Sequence, residues 1–165
     1  MKARKAKIPP ESLVNRYLPA DYSDAFVCAV GKAFAHTPDD LMVRFWTDFP
    51  RWVDVLFGIR NFFVRFVGLK GSMSSLREFE ECIRTGGKTD IASVPAKNEC
   101  ETVLLLDDKH LSAYMSVYIE DTPHNKQVYA TTLVHFKNRL GRVYFFFIRP
   151  FHGLLVGSIL KRSVK

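Results

Sequence analysis

Hydrophobic and polar positions alternate along the last third of the chain. His110–Glu120 sets Leu111, Ala113, Met115, Val117 and Ile119 against His110, Ser112, Tyr114, Ser116 and Tyr118, the period of two that a half-buried strand requires. The apolar set is expected to face the helices, which turns His110 outward. Gln127–Lys137 repeats the pattern, with Val128, Ala130, Thr132, Val134 and Phe136 opposite Tyr129, Thr131, Leu133 and His135. Arg142–Ile148 is β-branched and aromatic and predicts a third strand, apolar on both faces. Thr122–Lys126 and Asn138–Gly141 are expected as hairpin loops, the second with Gly141 available for positive φ. Pro150–Leu160 then predicts an apolar C-terminal helix buried through Phe151, Leu154, Leu155 and Ile159. Its Gly153 and Gly157 fall on another side, where they allow close packing or leave room for a ligand.

Upstream, Tyr22, Phe26, Cys28 and Val30 at even spacing predict a first strand. Thr37 as cap, Pro38 at the first helical position and Asp39 and Asp40 in the first turn start a helix. Pro50 ends it and opens a second helix to Gly68, whose apolar arc contains one charge, Arg60. A guanidinium cannot be neutralised, so Arg60 needs a carboxylate, Asp107 or Asp108 first, or an acidic ligand head group. Ser75–Ile83 predicts a short helix stopped by Gly86–Gly87, and Thr89–Val94 and Glu99–Leu106 two more strands. The order implies an α+β fold in which a curved antiparallel sheet wraps a long C-terminal helix, with two helices after the first strand. Met1–Ile8 is expected as a disordered basic arm and residues 9–165 as a single domain.

Charge changes the picture little. The chain carries +7, but Lys2, Arg4, Lys5, Lys7, Lys161, Arg162 and Lys165 lie at its ends, and the body between is neutral. Clustering on a folded face, as phosphate tracking needs, is not visible, so no nucleic-acid partner is expected. The apolar runs are far shorter than the ~20 residues of a membrane span, and none is expected. Cys28, Cys82 and Cys100 are odd in number and widely spaced, which suits a reducing cytoplasm.

No phosphate loop, zinc spacing or nucleophile motif occurs, and neither metal nor cofactor is expected. In Asp107-Asp108-Lys109-His110-Leu111 the first two positions form a turn, or Asp108 or His110 reaches a cavity mouth. His152 reads as a partly exposed structural residue in the first turn of the last helix. The expected ligand-binding set is Arg60, Asp108, Tyr144, Met115, Phe151 and Leu155, around an apolar or amphipathic small molecule.

This order of elements resembles a START-like, or helix-grip, domain. More narrowly the chain resembles a bacterial family called domain of unknown function 2867. The resemblance rests on Ala20-Asp21-Tyr22-Ser23-Asp24-Ala25-Phe26, Ile59-Arg60-Asn61, Asp107-Asp108-Lys109-His110-Leu111, Leu140-Gly141-Arg142-Val143-Tyr144-Phe145 and Ile148-Arg149-Pro150-Phe151-His152. It departs at Gly153, where the family favours a basic residue. The resemblance implies a fold and a cavity and carries over no catalytic residue. A binding domain is the leading expectation. A cyclase- or hydrolase-like enzyme and an interaction module partnering an oxidoreductase are the alternatives.

Overall fold

The structure, a computed structural model, describes residues 2–48 and 76–165. Among these residues six strands form one antiparallel sheet in the order β1-β2-β6-β5-β4-β3. They are β1 (Arg4–Ala6), β2 (Tyr22–Val30), β3 (Ala92–Lys97), β4 (Glu101–Asp107), β5 (Leu111–Asp121) and β6 (Lys126–Phe136). Among the described residues the α-helices are α1 (Pro38–Thr47), α2 (Leu76–Thr85) and α3 (Arg139–Ser163). A 3-10 turn over Leu13–Tyr17 precedes β2. The predicted second helix and Arg60 lie outside the described residues.

Alternation divides the sheet into two apolar faces. Cys28, Leu104, Met115, Val117, Val128 and Ala130 pack with Leu41, Met42 and Phe45 of α1, Phe79 and Ile83 of α2, and Val156, Ile159 and Leu160 of α3. Met115 and Val117 are on the helix side, as the parity of β5 requires. On the opposite face Val103, Ala96 and Leu133 meet Val14 of the 3-10 turn, and Tyr17 stacks on Tyr114 at 4.2 Å. Fully buried Glu101 anchors this N-terminal cover. Its Oε1 accepts from Ser12 Oγ at 2.6 Å and from Ser116 Oγ, and Oε2 accepts from Leu13 N at 2.5 Å.

Local chemistry fixes the helix ends. Thr37 and Asp40 form a reciprocal capping box at α1, with Pro38 in the first turn. Gly86, at φ 71°, follows α2, as its position after the last turn predicts. Lys97 Nζ donates to the α2 carbonyls of Ile83 and Arg84 at 3.2 and 2.8 Å, neutralising the helix's negative end. Pro95, with no N–H to offer the ladder, falls at the register shift in edge strand β3.

Several expectations are corrected, among them the burial of Phe151 and Leu154, which are 50 and 68% exposed. Arg4–Ala6 is not disordered but pairs with Val27, Phe26 and Ala25 as an edge strand. Arg142–Ile148 is not a strand. Asn138 caps a helix that runs through Pro150 to Ser163, its side chain accepting from Gly141 N at 3.0 Å. Helix prevails over β propensity because it buries Phe145, Val156 and Ile159 on one side, a face that no strand could share with them. Gly141 therefore serves closeness, not positive φ: a Cβ there would stand 2.1 Å from the His110 carbonyl oxygen. The merged helix is also long and apolar enough to cross a membrane by length and composition, which its two halves are not.

Candidate functional site

Helix α3 lies against β2 and β6. At Gly153 a Cβ would sit a tight 3.3 Å from the tip of the Phe26 ring, whereas at Gly157 it would be in ordinary contact at 3.7 Å. Of the two glycines, Gly153 thus serves close packing. One position of β2 breaks its apolar series: Asp24, between Tyr22 and Phe26, is buried on the helix side. Its Oδ2 accepts from the Tyr22 hydroxyl at 2.7 Å and lies 3.5 Å from His152 Nε2.

Register extends the cluster across the sheet. Asp24 pairs with Thr132 of β6, which pairs with Met115 of β5. Paired residues share a face, so carboxylate, hydroxyl and thioether form one row on the helix side of the sheet, its Asp24 and Thr132 members on the two strands that α3 packs against. Asp24 Oδ1, Thr132 Oγ1 and His152 Nε2 are closed to solvent and have no hydrogen-bond partner. Buried polar atoms are nearly always paired, and each orphan costs roughly 1–3 kcal/mol. Three at one contact form a set that can accept from a donor group and, through Thr132, donate in return. His135 Nε2 is also orphaned, but its ring meets Tyr114, on the other face.

Aromatic groups wall the cluster. The Phe145 ring lies 4.7 Å from that of Tyr22 and 5.9 Å from that of His152. The Arg149 guanidinium stands over the Tyr22 ring at 5.6 Å. Burial, followed by the hydrogen bond to Asp24 and the charge of that carboxylate, pushes the Tyr22 hydroxyl far above its ordinary range, against the opposing charge of Arg149. Tyr22 therefore remains a donor at neutral pH.

Of the residues expected to bind ligand, Met115 lies in the row beside Thr132. Asp108 is exposed in the β4–β5 turn, where Oδ1 accepts from Lys109 N at 2.6 Å. Tyr144 is half-buried on α3, Phe151 is half-exposed, and Leu155 packs against the main core. Arg60 lies outside the described residues. Tyr22, Asp24, Thr132, Arg149 and His152 were not expected. The available signal was Asp24 itself, a charge at an even position of an otherwise apolar alternation. Among the described residues no group of three or more His, Cys, Asp or Glu side chains could hold a metal ion.

Two surface depressions, of about 410 and 600 Å³, lie elsewhere, beside Arg4–Pro10 and around Phe136–Val143. Four of the five segments carrying the family resemblance lie in the described residues, and they meet in two places. Tyr22 and Asp24 join Arg149 and His152, while His110 meets Gly141 and places Nδ1 at 3.2 Å from Asn138 Oδ1. In comparison with known proteins, residues 17–159 match the model of a family described as Protein of unknown function (DUF2867). No curated protein and no solved structure matches.

Proposed function

This chain belongs to the DUF2867 family, and from that premise we propose that it is a small-molecule binding domain of the helix-grip, START-like kind. The ligand site is the contact of α3 with β2 and β6. The observation that carries this reading is that Asp24 Oδ1, Thr132 Oγ1 and His152 Nε2, on residues that are neighbours by register and contact, are all buried without a hydrogen-bond partner. The ligand has an apolar body against Phe145 and Met115 and a hydroxyl or amine head that donates to Asp24. This moves the polar anchor from Arg60 and Asp108 to the sheet–helix contact, and changes the preferred head group from acid to donor. Three unpaired thiols, two of them buried, support a cytoplasmic setting.

The Asp24–His152 contact also favours a second reading, an enzyme of the cyclase or hydrolase sort. A carboxylate beside an imidazole orients a general base. A thermal-shift screen of small hydroxyl- and amine-bearing ring compounds tests both. Binding predicts a raised midpoint that Asp24→Asn abolishes in a folded protein. The enzyme reading adds conversion of the bound compound, lost in His152→Gln. Shifts that survive Asp24→Asn, or none from any compound, reject the site.

A further inference from the structure

Helix α3 is apolar on two sides. At about 100° per residue, Phe145, His152, Val156 and Ile159 mark the side turned to the sheet. Leu140, Val143, Phe151 and Leu154 fall on an arc roughly 150° away, and they are 39, 54, 50 and 68% exposed. Phe147, at 61%, falls on the same arc, and Phe146, at 70%, flanks it. Soluble proteins seldom leave so many large apolar side chains contiguous without a use for them. This observation is independent of the ligand site, which lies on the helix's other side.

Charge identifies the occupant. Over its 25 residues α3 contains no Asp or Glu, and its charged residues are Arg139, Arg142, Arg149, Lys161 and Arg162. Arg162 is paired with Asp48. Arg139, Arg142 and Arg149 are exposed; Arg139 borders the ridge, while Arg142 and Arg149 stand toward the sheet, over the Phe136 and Tyr22 rings. Ala3 lies against Gly157, on the same side of the helix as Arg139. The register of Lys5 with Phe26 puts Lys5 on the helix side of the sheet, so the basic arm adds to the same edge. A basic helix with Phe and Leu on its free side suits the headgroup–acyl boundary of an anionic bilayer. Pairing with a second copy would bring two acid-free helices together, which like charge opposes.

We propose that the exposed ridge of α3 docks on an anionic phospholipid surface, with the helix lying in the plane of the interface. Although the helix has the length and composition to cross a membrane, Val156, Ile159 and Leu160 are committed to the core. Crossing would require giving up that packing, whereas lying flat keeps it.

Flotation of the full chain with phosphatidylcholine vesicles, with and without phosphatidylglycerol, tests the proposal. The expected result is association with the anionic vesicles, weakened by salt, and little with the neutral ones. Arg139→Gln and Arg142→Gln should each weaken it about fivefold. Val143→Ser with Leu154→Ser should abolish it and leave the circular dichroism and thermal midpoint unchanged. Absence of association, or equal association with both vesicle types, would overturn the proposal. So would a concentration-dependent dimer dispersed by Leu154→Ser, or serine variants that lose stability while the parent ignores vesicles.

Discussion

His152 Nε2 stands 3.5 Å from Asp24 Oδ2, joining the C-terminal helix to the second strand inside the protein. Neither His152 Nε2 nor the other Asp24 oxygen has a hydrogen-bond partner. By contrast, Glu101 on the opposite face of the sheet is just as buried and has both oxygens occupied. One carboxylate holds the fold together, and the other costs the fold something.

That difference predicts opposite responses to mutation. Glu101→Ala removes three hydrogen bonds to a charged group and strands two hydroxyls and an amide, so urea unfolding should show a loss of about 3 kcal/mol. Thr132→Val keeps the shape and removes an orphaned hydroxyl, and should gain about 1 kcal/mol. A clear loss for Thr132→Val would mean that its hydroxyl is satisfied in solution.

The alternation in β5 and β6 made most of the sheet legible, down to which side of Met115 and Val117 meets the helices. Arg142–Ile148 was not legible, because Val143, Tyr144 and three phenylalanines favour a strand locally and only packing with Val156 and Ile159 favours the helix. Placing the helix start at Pro150 put His152 in a first turn, away from any partner. Asp24 was visible as an interruption of its strand, but its meaning depended on where His152 falls. Arg60 stood out by the same logic, on a segment outside the described residues.

Gly141 and Gly153 should respond differently to alanine. At Gly141 the new Cβ would meet the His110 carbonyl oxygen at 2.1 Å, and backbone must move. Thermal unfolding should show a loss of about 3 kcal/mol. At Gly153 the new Cβ would meet only the tip of the Phe26 ring at 3.3 Å. A helix-propensity gain of about 1 kcal/mol offsets the ring's small shift, so that variant should be near neutral.

Acid should weaken the α1 cap. Burial pushes Asp40 upward, but hydrogen bonds from Arg84 and from the Thr37 amide and hydroxyl outweigh it and hold the carboxyl at about 2, below its ordinary 3.8. Its contribution is therefore complete above pH 3.8 and is lost as pH falls toward 2. Asp40→Asn should cost about 1 kcal/mol at neutral pH. Denaturation midpoints of parent and variant should converge between pH 4 and pH 2. A constant gap across that window would show that the group does not titrate as described.

The most direct measurement of the ligand-site reading is amide-resolved NMR during titration with hydroxyl- and amine-bearing ring compounds. The predicted result is a set of shifts centred on Tyr22–Phe26, Met115, Thr132 and His152, absent from a folded Asp24→Asn protein. Shifts confined to the depressions beside Arg4–Pro10 or Phe136–Val143, and unchanged by Asp24→Asn, would contradict it.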